Sequence, residues 1–239
     1  MDKYKKLLSN TFIFAVGTFS SKLLTFLLMP FYTYILSTEE YGVGDLISQT
    51  VYLLIPLATV GINNSIIRFA LEKNVNKSGV LTTGFVTILA GFGIMCCFAP
   101  LLNQISIFTG YTFLVYFFIL FSSLHSLFSS FLRSLGYVKL YAFDGIARTL
   151  VTILLNIIFL SVFHMGVAGY VLATPMADLI SSVFLVFSTK LYRHIRLRFI
   201  QKKTALAMLK YSLPLIPTTI CSWIINISDR YMITYMIGK

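Results

Sequence analysis

The chain has 239 residues, 57% hydrophobic and only 11% charged, with a net charge of +11 and a mean hydropathy of +0.85. Soluble domains carry about 25% charged and about 45–50% apolar residues, so this composition excludes a single water-soluble globule and makes lipid the natural solvent. Cys96, Cys97 and Cys221 all sit inside apolar runs, without metal-ligand spacing or the pattern of a disulfide framework, and read as small packing residues.

The opening Met1-Asp-Lys-Tyr-Lys-Lys looks like the charged start of a signal peptide. The apolar stretch behind it continues to Leu36, well past the roughly 7–15 residues of a cleavable core, and is expected to stay as a first span. Runs long enough to cross a bilayer fall at Leu7–Leu36, Tyr41–Phe69, Gly79–Leu102, Tyr111–Leu132, Leu140–Phe163, Gly166–Thr189 and Tyr211–Ile237. The expected fold class is therefore an all-α integral membrane protein, a polytopic bundle of about seven transmembrane helices. Barrel strands are excluded by run length, since they alternate over about ten residues. Helices satisfy their own backbone groups in lipid. The long first and last runs predict tilt or a break, with Pro30, Pro214 and Pro217 as kink sites.

Lys3, Lys5 and Lys6 precede the first run. Arg68, Lys73 and Lys77 separate the second from the third, and Arg133 and Lys139 the fourth from the fifth. The segment after the sixth holds Lys190, Arg193, Arg196, Arg198, Lys202, Lys203 and Lys210. The alternate loops, Ser37–Glu40, Asn103–Gly110 and His164–Met165, contain no lysine or arginine. This asymmetry predicts a cytoplasmic amino terminus. It also accounts for the positive charge: the basic segment Lys190–Lys210 reads as a topology determinant against anionic headgroups, and no aromatic-interleaved motif points to nucleic acid.

Ionisable residues nevertheless occur at bilayer depth, where each costs about 2.5–3.5 kcal/mol on insertion scales. Lys22 lies mid-way in the first run, Arg148 in the fifth, Asp178 in the sixth, and Asp229 and Arg230 in the seventh. They belong to polar stripes at helical spacing: Thr11, Thr18, Lys22 and Thr25; Asp45, Gln49, Tyr52, Thr59 and Asn63; Asp144, Arg148, Thr152 and Asn156; Thr174, Asp178 and Ser181; Thr219, Ser222, Asn226 and Asp229. Several helices thus turn a hydrophilic face to a shared interior, as a solute path requires. The third run has almost no such residues and is expected to be peripheral.

Plainer roles stand beside these. Asp144 and Arg148 are four apart and can neutralise one another. Arg68 and Arg133 can snorkel to the interface. Lys22 either pairs with Asp178 or faces a substrate. Asp229 and Arg230 are neighbours on a helix, about 100° apart, so at least one needs a partner elsewhere. His125 lies among Ser122, Ser126 and Ser129 and reads as a hydrogen-bonded packing histidine. No P-loop, nucleophile elbow or zinc spacing is present, and the outer loops are too short for an external active site, so the chain is not expected to be an enzyme.

Three stretches resemble bacterial polysaccharide exporters of the oligosaccharide flippase type, within the multidrug/oligosaccharidyl-lipid/polysaccharide superfamily. They are Leu8-Ser-Asn-Thr through Ser20-Ser-Lys-Leu-Leu, Pro30-Phe-Tyr-Thr-Tyr-Ile-Leu-Ser-Thr-Glu-Glu-Tyr-Gly, and Pro214-Leu-Ile-Pro-Thr-Thr with Ser228-Asp-Arg-Tyr-Met-Ile-Thr-Tyr-Met-Ile-Gly. The resemblance implies two six-helix lobes around a central cavity that move undecaprenyl-diphosphate-linked oligosaccharides, such as O-antigen, capsule or exopolysaccharide units, to the outer leaflet. Thr33-Tyr34-Ile35-Leu36 echoes Thr234-Tyr235-Met236-Ile237 at an offset of 201 residues, which on this resemblance makes the seventh run the start of a second lobe.

The resulting expectations are a first six-helix lobe over residues 1–189, a basic cytoplasmic linker over 190–210 and the first helix of a truncated second lobe over 211–239. The chain would be a truncated product or half of a split transporter. Lys22, Arg68, Arg148 and Arg230 are the candidate cavity cations for a diphosphate. Asp178 and Asp229 are candidate counter-charges or coupling-ion ligands. No metal or cofactor is implied. The implied partners are a lipid-linked oligosaccharide, membrane lipids, and polysaccharide polymerase and assembly proteins, at the bacterial inner membrane. The alternatives are a multidrug exporter or, in a different class, a membrane-embedded glycan polymerase or ligase.

Overall fold

The computed structural model describes residues 11, 15, 19, 22–24, 26–72, 75–104 and 108–237, and among them every regular element is helical. In chain order these are α1 (Lys22–Ile35), α2 (Thr38–Ala58), α3 (Ile62–Leu71), α4 (Lys77–Cys97), α5 (Ala99–Asn103), α6 (Thr112–Ser134), α7 (Val138–Ile157), α8 (Gly166–Ser188), α9 (Lys202–Ser212) and α10 (Leu215–Ile237). Helix starts follow local chemistry. Ser37 and Glu40 form a reciprocal capping box at α2, at 3.1 and 2.9 Å, and Asn76 accepts from the Ser78 and Gly79 amides at α4.

Four helices are long and apolar enough to span a membrane: α4, α6, α7 with its π-helical extension to Val162, and α8. The pair α2 and α3, bent by 54° at the break between them, meets the same standard when taken together. The other two of the expected seven do not meet that standard. Only α1 of the first is described, and α10 is diluted by Thr218, Thr219, Ser222 and Asn226. One expected break is present: the seventh run is interrupted at Leu213–Pro214, between α9 and α10. A further break lies in the second run, where Pro56 precedes Val60 and Gly61, both left-handed at φ 52° and 62°. An unbroken apolar run masks it in the sequence, although Pro56 and Gly61 are helix-breaking residues.

The helices α6 and α8 form the spine, with α2, α3 and α4 against α6 and α2 and α7 against α8. One apolar cluster joins α3, α4, α6, α8 and α9 through Ile66, Phe69, Leu81, Phe131, Leu185 and Met208. A second joins α2, α6 and α8 through Ile47, Val51, Phe118, Ile119 and Val171. The basic segment after α8 is ordered against this floor. Ser78 Oγ meets His194 Nδ1 at 2.8 Å, the Thr82 hydroxyl donates to the His194 carbonyl at 3.0 Å, and Met208 of α9 is fully buried.

The third run is not peripheral. The apolar stretch of α4 is 39% buried, whereas that of α7 is only 11% buried. Lipid offers apolar side chains as good a solvent as a protein interior does, so close packing of small residues, rather than hydropathy, decides which helix is central. Here Gly91 lies against the Ala58 carbonyl, where an added Cβ would come within 1.8 Å of the oxygen. The low coverage of α7 comes from its apolar face, where Phe143, Leu150, Leu154 and Ile157 are exposed, whereas Asp144 and Asn156 of its polar stripe are buried.

Candidate functional site

The cleft, about 630 Å³, lies between α1, α2, α7 and α8. Lys22 and Tyr32 come from α1, Tyr41, Asp45, Gln49 and Tyr52 from α2, Arg148 and Thr152 from α7, and Tyr170 and Thr174 from α8. The polar stripes of α2, α7 and α8 therefore do converge. A second cleft of about 560 Å³ opens between α1, α2 and α10 and shares Lys22, Gln49 and Tyr52 with the first. The Trp223 indole closes α10 onto α2 by donating to the Gln49 carbonyl at 2.9 Å.

Behind the first cleft sits a buried ion cluster drawn from three helices. Asp178 of α8 is fully buried; it accepts from Arg148 Nε at Oδ1 and from the Ser122 hydroxyl at Oδ2. Asp144 of α7, 2% exposed, meets His125 Nε2 at 2.9 Å and accepts from the Ser181 hydroxyl. His125 Nδ1 lies 3.7 Å from Asp178 Oδ1, so one imidazole stands between two carboxylates. Arg148 is 33% exposed, one side on Asp178 and the other open to the cleft.

This arrangement bears on three expectations. Asp144 and Arg148 do not neutralise each other along α7; each is paired across helices instead. A local pair would have stranded Asp178 in the core without a counter-charge, and an uncompensated buried charge costs several kcal/mol. His125 is the hydrogen-bonded packing histidine expected, and the structure adds that its partner is the Asp144 carboxylate. Asp178 is occupied by Arg148 and Ser122, while Lys22 stands exposed at the junction of the two clefts and makes no ion pair among the described residues.

Arg68 lines neither cleft. It ends α3 with its guanidinium 4.3 Å from the Tyr211 ring centre and 5.6 Å from that of Phe69, and Arg133 lies similarly 5.5 Å from Tyr141. The side chains of Asp229 and Arg230 lie outside the described part of α10.

The sequence reading missed a tyrosine cluster at the far end of the cleft. Tyr170 meets Tyr32 edge to face at 4.9 Å and Tyr41 at 5.7 Å, with Tyr32 and Tyr41 6.1 Å apart. Gly44 makes room for it, since a Cβ there would sit 2.6 Å from the Tyr170 ring. The available signal was Tyr41, four residues before Asp45 on the α2 stripe.

Residues 7–239 match the family described as polysaccharide biosynthesis protein. Among solved structures, a MATE transporter in complex with Br-NRF superposes with a TM-score of 0.68 at 17% identity, over 92% of this chain and 57% of its own. A MATE in the straight conformation gives 0.67 at 16% identity, over 89% and 52%. A MOP superfamily transporter from Pyrococcus furiosus Vc1, described as having a binding pocket of reverse polarity, gives 0.66 at 14% identity, over 88% and 52%. At these identities the likeness is one of fold, and the chain spans just over half the length of those transporters. A comparison with curated proteins gives no match. The match over residues 7–239, on a multi-pass helical bundle with a transporter's fold, places the chain in the polysaccharide biosynthesis protein family.

Proposed function

We propose that the chain is the first lobe of an exporter that carries undecaprenyl-diphosphate-linked oligosaccharides from the cytoplasmic to the outer leaflet of a bacterial inner membrane. In this reading residues 1–189 form the lobe, 190–210 the cytoplasmic connection and 211–239 the start of a second lobe, and polysaccharide polymerase and assembly proteins act alongside. The observation that carries it is the cleft wall itself, where the Arg148 guanidinium and the Lys22 ammonium face the same space at bilayer depth. An anionic headgroup is attracted to these two cations, whereas a cationic drug would have Asp45 on the same wall. Arg230 would extend the cationic path; Arg68, held over Tyr211 away from both clefts, would act only where the headgroup first meets the protein. Asp178 balances Arg148, and Asp229 is a further counter-charge or coupling-ion ligand.

The test is export. A flippase-deficient strain expressing this chain with a second lobe from a full-length family member is expected to regain surface polysaccharide, with no gain in resistance to cationic drugs; the chain expressed by itself is expected not to restore export. Drug resistance without polysaccharide would replace this reading with a multidrug exporter, and elongated glycan without export would favour a polymerase or ligase. Orientation is checked separately. A cysteine replacing Lys202 should resist impermeant reagents in intact cells and one replacing Glu39 should react; the reverse pattern would invert the topology.

A further inference from the structure

The tyrosine cluster is set apart from the cations by depth. Along α8, Tyr170 precedes Asp178, the carboxylate that holds Arg148 of α7, by eight residues, about 12 Å at 1.5 Å per residue. Along α2, Tyr41 precedes Gln49, which borders the Lys22 junction, by the same interval. Tyr32, Tyr41 and Tyr170 come from three helices and are half-buried. They lie within about two turns of the lysine- and arginine-free loops, Ser37–Glu40 and His164–Met165.

The hydroxyls of Tyr32, Tyr41 and Tyr170 make no hydrogen bond to protein among the described residues. All three line the cleft, and their hydroxyls are not among the buried unpartnered atoms, so each can donate to and accept from whatever enters that end. Their rings supply apolar faces and edges beside those hydroxyls. The ligand chemistry this fits is a pyranose ring, with C–H faces to lie on aromatic carbon and hydroxyls to exchange with phenols. A lipophilic cation would also use aromatic rings and Asp45, but it would share the cleft with Lys22 and Arg148 and gain nothing from free hydroxyls.

Resting on the proposed flippase function, we infer that Tyr32, Tyr41 and Tyr170 form the sugar-recognition subsite, while Lys22 and Arg148, about 12 Å deeper, take the diphosphate. The site is bipartite, and selectivity among sugars resides in the tyrosine end. A site built to hydrogen-bond a substrate hydroxyl discriminates strongly against a ligand lacking it. Export specificity would then be set at a point distinct from lipid-phosphate capture.

The experiment uses the full chain in nanodiscs, with fluorescence of Trp223, its only tryptophan, as the readout. The probes are farnesyl diphosphate, the same lipid bearing glucose, galactose or N-acetylglucosamine, and tetraphenylphosphonium. At least one glycosylated probe is expected to bind ten times more tightly than bare farnesyl diphosphate. The combined variant Tyr32→Phe, Tyr41→Phe, Tyr170→Phe keeps every ring, and its expected effect is to erase that gain while leaving the bare lipid's affinity within twofold. Arg148→Gln is expected to weaken both lipids together. If wild type binds bare and glycosylated lipids equally, or if the gain survives in the triple variant, the sugar subsite is wrong and the flippase reading stands. If no diphosphate lipid binds and tetraphenylphosphonium does, both fall. If the triple variant weakens bare and glycosylated lipids equally, the tyrosines are structural and the subsite is overturned.

Discussion

Replacing Arg148 by alanine is expected to reduce both the amount of inserted protein and its thermal stability in detergent. The substitution leaves Asp178, fully buried, with only the Ser122 hydroxyl and the more distant His125 for company. Breaking one side of a buried ion pair costs about 3–5 kcal/mol, and the one-third exposure of Arg148 puts the expected loss toward the lower value, because solvent screens part of the pair. Removing both charges should undo much of this. The double variant Arg148→Ala, Asp178→Asn is expected to recover stability, since an amide can still accept from Ser122 and carries no stranded charge. Export separates structure from transport: if Arg148 also meets the substrate, the stable double variant remains inactive. A single Arg148→Ala protein as stable as wild type would remove the ion pair from any account of how α7 and α8 hold together.

Lys22 should behave in the opposite way. It has no ion pair to lose among the described residues and stands exposed where the two clefts meet, so Lys22→Ala in a complete transporter is expected to leave protein level near normal and abolish export. Two unit charges 4 Å apart attract by about 4 kcal/mol at an effective dielectric of 20, which exceeds the roughly 2.5–3.5 kcal/mol that inserting a lysine at bilayer depth costs. A diphosphate headgroup can therefore more than offset the cost of keeping the ammonium there. Lys22→Arg is expected to retain partial export, with charge preserved and donor geometry altered. Adding Asp178→Ala to Lys22→Ala should not rescue, because Asp178 already belongs to Arg148. Surface polysaccharide normalised to membrane protein measures all of these, and rescue by the double variant would make Lys22 a structural counter-ion.

The amino-acid pattern was a good guide to whatever depends on one helix at a time. Apolar run length located four spans and the bent α2–α3 pair, though not seven, and the stripe periodicity on α2, α7 and α8 anticipated which faces share a cleft. Pairing across helices was beyond it, for a physical reason. The spacing of Asp144 and Arg148 satisfies a local rule, yet Asp178 and His125 compete for the same groups at distances of 19 to 56 residues along the chain. In the interior the stranded charge decides the outcome. The centrality of α4 was hidden similarly. Its glycines are indistinguishable from lipid-facing ones until Ala58 is brought against Gly91. The tyrosine cluster needed three helices to converge, so no stretch of sequence contains it.

The break at Thr59–Gly61 has a mechanical consequence. A straight helix from Thr38 to Leu71 would have one azimuth, so that turning its cleft-facing stripe would turn its floor-facing residues equally. With the axis cut and bent by 54°, the two halves have separate azimuths. The half carrying Tyr41, Asp45 and Gln49 is fitted to α6 and α8 through Ile47 and Val51, while the half carrying Ile66 and Phe69 is fitted to α4 and α9. The joint between them is held in place: the Gly61 amide donates to the Pro56 carbonyl at 2.9 Å, the Ile62 amide to that of Thr59 at 3.0 Å, and Thr59 and Ile62 are buried. The cleft-facing stripe and the floor-facing residues of one continuous stretch of chain are thus each fitted to their own neighbours, with the angle between them set by the buried joint.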